Sequence, residues 1–147
     1  MCVRVIAIFW VACLLGACSS ESLPFSRGAL TGTPTPIPSD WAMVEAVQVI
    51  QLETRPERPY SVNLWVVGLS ENLYVFAGSS KSNWVEHIEA NPDVRIKIGD
   101  AIYALRASLV KNKNEFETFA RGWEAKYGRR PFNENVDETY LVRLVAR

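Results

Sequence analysis

The stretch NLYVFAGSSKSNWVEHIEANPDVRIKIGDAIYALRASLV, residues 72–110, carries the strongest structural signals of the chain. It begins as an apolar strand and continues through a polar Gly/Ser loop into a short helix, for which Ser82 is the predicted N-cap. The helix must end at Asn91, because the following proline cannot continue it and restricts the residue before it. Two further strands meet at Gly99-Asp100, where a glycine in the first position of a two-residue loop is typical of a type II′ turn.

This turn predicts the register of the hairpin. The expected cross-strand pairs share one apolar face: Ile98 with Ala101, Ile96 with Tyr103 and Val94 with Leu105. The opposite face carries the charged residues Asp93, Arg95, Lys97 and Arg106, with Asp93 opposite Arg106. A shift of one residue would turn these charges into the core, so the register is strongly specified.

Both flanks of this stretch predict further strands and helices. Residues 49–54, 60–68 and 138–146 read as strands and residues 39–48 as a short opening helix capped by Ser39 or Asp40. In residues 112–128, aromatic side chains recur at helical spacing, Asn112 and Glu115 form a capping pair, and Gly128 suits the C-terminal end. The order α-β-β-β-α-β-β-α-β predicts an α+β, mainly β fold over residues 41–147, a small six-stranded barrel with two or three helices.

The N-terminus predicts export. Val5 to Leu15 form an eleven-residue apolar stretch, shorter than the about 20 residues that span a bilayer, and typical of a signal peptide over residues 1–17. Leu15-Gly16-Ala17-Cys18 resembles the lipobox of bacterial lipoproteins, which implies cleavage before Cys18 and acylation of its sulfur. An ordinary signal peptide or an uncleaved anchor are the alternatives.

Residues 18–40 are rich in Ser, Pro, Thr and Gly and predict a flexible tether between lipid and domain. Ser19 after the lipidated cysteine resembles an outer-membrane address, on the periplasmic face, with the inner membrane as the alternative. Removal of the signal peptide would leave Cys18 as the one cysteine, so no intrachain disulfide or Cys-rich metal site is expected.

The charge balance and the single histidine argue against several classes of function. The chain of 147 residues has 16 acidic and 16 basic residues, so no single-sign field indicates nucleic-acid binding. The single histidine excludes a multi-histidine metal site, and no carboxylate pair at catalytic spacing stands out. We therefore name no catalytic and no metal-binding residue.

Residues 72–110 resemble the central block of the FMN-binding split-barrel superfamily, which includes pyridoxamine-phosphate-oxidase-like and deazaflavin-dependent nitroreductase-like proteins. The residues that carry the resemblance are Trp84, Ala90, Asn91, Pro92 and Val94. It implies a split β-barrel, a two-fold homodimer, and FMN or deazaflavin as the cofactor. Two departures stand out: residues 55–61, RPERPYS, lack the Arg/Lys-Ser-Gly segment of the deazaflavin branch, and His87-Ile88 replace its Asn-Leu pair.

The resemblance also implies where a cofactor would bind. The matching positions are Gly78, Ser79, Ser80, Lys81, Trp84 and His87. Hydroxyls, a lysine and a helix N-terminus together favour a phosphate. Each has a structural alternative: a polar connector for residues 79–81, and a half-buried helix residue for His87.

Other polar residues have structural interpretations. Arg95, Lys97 and Arg106 could extend a positive patch or simply form a solvated sheet face. Lys126, Arg129 and Arg130 suit the dipole at a helix C-terminus. The leading hypothesis is a membrane-anchored lipoprotein that presents a ligand-binding or interaction domain. A flavin- or deazaflavin-dependent oxidoreductase of nitroreductase type is the alternative.

Overall fold

The computed structural model describes residues 28–147, so the predicted signal peptide and Cys18 lie outside the described residues. The strands are β1 (Thr33–Pro34), β2 (Val49–Thr54), β3 (Tyr60–Leu69), β4 (Asn72–Phe76), β5 (Asp93–Ile98), β6 (Ala101–Leu109) and β7 (Leu141–Ala146). A 3₁₀ helix spans Ala42–Ala46, and the α-helices are α1 (Asn83–Ala90) and α2 (Lys113–Tyr127).

Six antiparallel strands close into a barrel. Their order around it is β6-β5-β2-β3-β4-β7, and β7 pairs back with β6 to complete the ring. β1 runs parallel to the first residues of β6, on the edge that β7 does not reach. This is the predicted six-stranded split barrel with one extra strand, so the predicted fold class is confirmed.

The β5–β6 hairpin has the predicted register. Ile98 pairs with Ala101 and Asp93 with Arg106. Gly99 has a φ of 59°, whereas Asp100 is not among the described residues with positive φ. A type I′ turn would need positive φ at both residues, so this backbone fits the predicted type II′ turn.

The helices form near their predicted positions. The Asn112 side chain accepts hydrogen bonds from the backbone N–H groups of Asn114 and Glu115, and Gly128 ends α2 with a left-handed φ of 74°. Ser82 is the N-cap residue of α1, although its side chain makes no capping hydrogen bond. The predicted opening helix is reduced to one 3₁₀ segment, with the Asp40 carboxylate accepting from the Ala42 N–H.

The hydrophobic core has two parts. The barrel interior is filled by side chains of every barrel strand, and Trp41 and the α1 residues Trp84, Val85 and Ile88 belong to the same cluster. The second part lies outside the barrel, where Phe116, Phe119, Ala120 and Trp123 of α2 pack on β3, β4 and β7. Side chains of the barrel strands thus fill the barrel interior, as in other small closed barrels.

The segment before the barrel differs from the expected tether, although part of that tether, residues 18–27, lies outside the described residues. Leu30 is buried, and the backbone N–H groups of Thr33 and Thr35 donate to the carbonyls of Asp100 and Ile102. The Leu30 N–H also donates to the Glu53 carboxylate. These contacts attach residues 30–35 to the barrel and cover an exposed strand edge.

Candidate functional site

The residues predicted to hold a cofactor do not meet at one site in the described chain. Trp84 is 3% exposed and packs inside the barrel. Lys81 forms an ion pair with Glu89 of α1, while Ser79 and Ser80 are exposed. The pKa of Lys81 is raised, chiefly by its hydrogen bond to Glu89. The lysine is thus occupied by a carboxylate of its own chain.

His87 lies on another side of α1, against the end of β2. Its Nδ1 is 2.9 Å from Thr54 Oγ1, and its ring meets the Tyr60 ring edge-on at a centroid distance of 5.0 Å. Burial lowers the pKa of His87, the Arg55 cation lowers it further, and Glu86 opposes both effects. This half-buried environment matches the structural interpretation of His87 and gives it no contact with Lys81.

Gly78 is the one residue of the predicted set that borders a cleft with aromatic walls. We call this surface the aromatic cleft; it has a volume of about 270 Å³. Its lining residues are Trp65, Phe76, Ala77, Gly78, Trp123, Arg129, Arg130, Pro131 and Phe132. They come from β3, from β4 and the two residues after it, from α2 and from the loop after α2, so the cleft lies where α2 leaves the barrel wall.

Stacked rings form the walls of the aromatic cleft. Trp65 stacks on Tyr127 with ring centroids 5.2 Å apart and planes inclined by 20°, and Trp123 lies 5.5 Å from Trp65. Trp65 remains 43% exposed and Phe132 83% exposed. Large apolar side chains left in water in this way, next to a concave surface, are typical of binding sites.

The two arginines of the cleft have different surroundings. Arg130 is held by the carboxylates of Glu117 and Glu134, at 2.7 and 2.6 Å, and its pKa is raised above the ordinary arginine range by these hydrogen bonds. The Arg129 guanidinium instead lies 5.5 Å from the Trp65 ring centroid, and no described carboxylate pairs with it. Arg129 is therefore the cation available to a ligand in this cleft.

Lys126 and Tyr127 fix the back of the cleft. The Lys126 ammonium donates to the carbonyls of Val44, Val47 and Val66 at 2.7, 2.7 and 2.8 Å. Burial lowers the pKa of Lys126 and raises that of the Tyr127 hydroxyl. Lys126 and Tyr127 both bind the Val66 carbonyl of β3 and backbone carbonyls of the segment before β2. Trp65 therefore rests on a rigid support, and Lys126 does more than complement the helix dipole.

The charged face of the hairpin is largely paired within the chain. Arg95 donates to both carboxylate oxygens of Glu53, and Arg106 pairs with Asp93. This supports the interpretation of these residues as an ordinary sheet face. Within residues 28–147, no group of three His, Cys, Asp or Glu residues could hold a metal ion, and none of the helices there has the length and apolarity to cross a membrane.

Sequence reasoning missed Trp65 and Phe132. Trp65 follows the inward positions Val62 and Leu64 and precedes Val66, so strand alternation points it outward. A tryptophan on the outward face of a strand was an available signal. Phe132 lies in a loop with no periodicity, so no pattern indicated its position beside Gly78.

No protein-family model matches the sequence, and no curated protein matches it. Solved structures do match the fold. A proposed pyridoxamine 5′-phosphate oxidase from Listeria innocua is 20% identical with a TM-score of 0.56, over 71% of this chain and 87% of that one. A proposed 5-nitroimidazole antibiotic resistance protein from Bacteroides thetaiotaomicron is 13% identical with a TM-score of 0.56, over 70% and 75%.

A third match has different coverage. An FAD-binding protein from Mesorhizobium loti is 16% identical with a TM-score of 0.53, over 83% of this chain and 93% of that chain. Identities this low relate the folds of the proteins rather than their activities. Residues 28–147 of this chain thus have the split-barrel fold of these solved structures.

Proposed function

We propose that this protein is a membrane-anchored lipoprotein whose split-barrel domain binds a planar aromatic anion in the aromatic cleft. The observation that carries the proposal is the pairing of exposed Trp65 and Phe132 with the carboxylate-free Arg129. Ring faces bind a flat apolar body, and the guanidinium binds an anionic group.

The anchor rests on the residues before the domain. Gly16-Ala17-Cys18 follow an apolar signal segment, and residues 19–27 separate Cys18 from the first described residue. Lipidation of Cys18 would hold the domain at the cell envelope. The expected location is the periplasmic face of the outer membrane. Metabolic labelling with a fatty-acid analogue tests this step: label on the native chain and none on Cys18→Ala is expected, and equal labelling of both would exclude it.

Ligand binding can be tested with 8-anilino-1-naphthalenesulfonate, an aromatic anion whose fluorescence rises in apolar sites. We expect Phe132→Ser to remove the fluorescence gain, because one wall of the cleft is lost. Arg129→Gln should weaken binding about tenfold, the value of one charge-assisted hydrogen bond. Arg121→Gln, an exposed arginine of α2 that pairs with Glu117, is the matched control. Equal binding by all variants would mean that the probe binds outside the aromatic cleft.

The alternative is a flavin- or deazaflavin-dependent oxidoreductase of nitroreductase type. The likeness to an FAD-binding protein and to a nitroimidazole resistance protein favours it. The aromatic walls fit a planar ring, and a bound flavin would supply the hydride chemistry. Of the predicted phosphate-binding residues, however, only Gly78 borders the cleft. The fit is therefore partial, and the chain's own role would be to orient the ring against Trp65.

FMN, riboflavin and the naphthalenesulfonate together separate these functions. FMN and riboflavin share the ring system, and only FMN carries a phosphate. Quenching of tryptophan fluorescence by FMN, weakened in Arg129→Gln, would favour the oxidoreductase. Binding of the naphthalenesulfonate without either flavin would favour a non-flavin ligand.

A homodimer is the second part of the proposal. Val49 and Trp65 are directly paired across β2 and β3, and both are exposed apolar residues. Light scattering of the full chain in neutral detergent should report two copies per particle. A single copy at all concentrations would exclude the dimer. The proposed dimer would bring the aromatic cleft to its interface, because Trp65 lines that cleft as well.

A further inference from the structure

Residues 28–35 are attached to the barrel by specific hydrogen bonds, and we call them the docked segment. The Ser61 hydroxyl donates to the Gly28 carbonyl at 2.9 Å, and the Leu30 N–H donates to the Glu53 carboxylate at 2.6 Å. Ser61 and Glu53 are directly paired across β2 and β3, and they are 1% and 2% exposed. Buried polar groups cost free energy unless they are hydrogen-bonded, so the segment belongs to the folded domain.

The middle of the docked segment fits the barrel closely. A Cβ atom placed on Gly32 would overlap the Asp100 carbonyl oxygen, so a side chain cannot occupy this position while the segment is docked. The Thr33 N–H donates to the Asp100 carbonyl at 2.8 Å, and the Thr33 hydroxyl donates to the Asp100 carboxylate at 2.7 Å. The segment thus crosses the outer face of the barrel from Ser61 to the β5–β6 turn.

The docked segment determines where the chain leaves the domain. Ser61 is the second residue of β3 and Glu53 the second-to-last residue of β2, so Gly28 lies at the barrel end that carries the β2–β3 turn. Cys18 and Gly28 are ten peptide units apart, and a fully extended chain of that length spans at most about 35 Å. A compact domain of about 120 residues is itself about 35 Å across. A lipid on Cys18 would therefore hold this end of the barrel close to the bilayer.

We propose that the barrel end with the β2–β3 turn faces the phospholipid surface and that the end with the β3–β4 turn faces the aqueous phase. This inference rests on the proposed lipid anchor at Cys18 and adds the orientation of the domain on the membrane. Without docking, the first buried residue would be Trp41, 23 peptide units from Cys18, and the reach would rise to about 80 Å. A connection of that length would let every face of the domain turn toward the membrane.

This orientation places the aromatic cleft away from the bilayer. Trp65 follows Ser61 by four residues on β3, which is about 13 Å along the strand toward the aqueous end. Lys126 and Tyr127, which support the cleft, bind backbone carbonyls of residues 44–48. These residues precede β2, whose first residue pairs with Trp65. A ligand would therefore enter the cleft from the aqueous phase rather than from the lipid.

Energy transfer from a fluorophore on the domain to acceptor-labelled lipids measures the orientation. Glu57 and Glu71 are matched label sites, because both are exposed glutamates in the turns at opposite ends of β3. Removal of the signal peptide and acylation of Cys18 would leave an introduced cysteine as the one free thiol. The full lipidated chain is added to preformed vesicles of phosphatidylethanolamine and phosphatidylglycerol. The transfer rate should be at least about threefold higher for Glu57→Cys than for Glu71→Cys, because β3 separates the labels by about 30 Å.

Gly32→Ala tests whether the docked segment sets this orientation. The added Cβ overlaps the Asp100 carbonyl, so the segment should detach, while the strands of the barrel are unaltered and stay folded. Gly28→Ala is the matched control, because no atom lies within 4 Å of its added Cβ. The ratio of the two transfer rates should stay at the native value in Gly28→Ala and fall toward one in Gly32→Ala. A ratio that Gly32→Ala leaves unchanged would overturn the proposal.

Mass spectrometry of the same chain separates this inference from the proposed anchor. Acyl chains on Cys18 together with faster transfer from the Glu57 site would support both. Acyl chains on Cys18 with equal transfer from the Glu57 and Glu71 sites would overturn the orientation and leave the anchor intact. A chain without acyl groups would exclude the anchor and the orientation with it.

Discussion

Phe132 lies directly over Gly78: a Cβ atom placed on Gly78 would be 2.5 Å from Cζ of Phe132. Gly78 also has a φ of 62°, a backbone conformation that disfavours any side chain. The rim of the aromatic cleft therefore depends on a glycine that the family resemblance had assigned to a phosphate-binding loop.

Gly78→Ala should move Phe132 and destabilise the fold by about 1–2 kcal/mol, from backbone strain plus the contact with the ring. Urea unfolding measures the loss. Gly99→Ala is a matched control, because its φ is 59° and no atom lies within 4 Å of the added Cβ. Backbone strain should destabilise both variants. Only Gly78→Ala should change the exposure of Phe132 and the cleft tryptophans to a quencher. Identical quenching in the two variants would contradict the contact.

Lys126→Met should destabilise the protein by about 1–3 kcal/mol, because it removes an ammonium that donates to three backbone carbonyls. The Val44 and Val66 carbonyls keep the Val47 N–H and the Tyr127 hydroxyl as donors, which limits the loss. The change is nearly isosteric, so the cause is the lost ammonium rather than lost volume. Lys113→Met, at the exposed start of α2, should change the free energy of unfolding by less than about 0.5 kcal/mol. Both are measured by urea unfolding. A small effect at Lys126 would mean that water replaces the ammonium at Val44, Val47 and Val66.

The sequence predicted local structure well and long-range contacts poorly. The β5–β6 hairpin was predictable because its turn and its alternation both lie within the segment itself. The contact between Lys126 and the Val44 carbonyl joins residues 82 apart in the chain, and no local pattern encodes it. Leu30 was placed in a tether because its neighbours are polar, and a two-residue strand has no period that could reveal its pairing with β6.

The candidate site was less predictable than the fold. Ser79, Ser80 and Lys81 have the chemistry of a phosphate loop, but Lys81 is paired with Glu89 on the helix that follows. The aromatic cleft depends on Trp65 and Phe132, whose neighbours are brought together only by the docking of α2. Residue type can be read from the sequence, whereas the direction in which a loop residue faces depends on the packed barrel.

Protonation of His87 should weaken the fold in mild acid. Its pKa in the folded protein lies below the ordinary value of 6.5, mainly through burial and also through Arg55. Below that value the unfolded chain binds more protons than the folded one, so the free energy of unfolding falls as the pH drops from 6.5 through the folded pKa. His87→Gln cannot titrate and should remove this part of the pH dependence. Urea unfolding at several pH values, compared between the two proteins, measures it; parallel curves would contradict the lowered pKa.

The pKa of the Tyr74 hydroxyl should be about 12. Burial raises it first, and then the hydrogen bond to Glu115, whose carboxylate also accepts from Arg143. Glu115→Gln should lower this pKa, because the neighbouring negative charge is lost while an acceptor remains. Absorbance titration of the tyrosines checks this, with Glu117→Gln on the exposed face of α2 as control. An unchanged titration of the most basic tyrosine would contradict the Tyr74–Glu115 contact.

Glu53 connects the N-terminal segment to the barrel. Its carboxylate is 2% exposed, accepts two hydrogen bonds from Arg95 at 2.7 and 2.8 Å, and accepts a third from the Leu30 N–H at 2.6 Å. Glu53→Gln keeps the shape and one acceptor but leaves Arg95 without its counter-charge. Because Arg95 is partly exposed to water, we expect a loss of about 2–3 kcal/mol, less than for a fully buried pair.

Glu53→Gln should detach residues 30–35 from the barrel under conditions in which the barrel itself stays folded. The Thr33 and Thr35 amides donate to the β6 edge, and hydrogen exchange at these two amides should accelerate in Glu53→Gln while the β5–β6 hairpin amides stay protected. Asp93→Asn removes an exposed ion pair with Arg106 on the neighbouring strand and should cost less than about 1 kcal/mol without changing exchange at Thr33. If Thr33 and Thr35 exchanged freely in the native chain, residues 30–35 would behave as part of the flexible tether, and the domain would begin near Trp41.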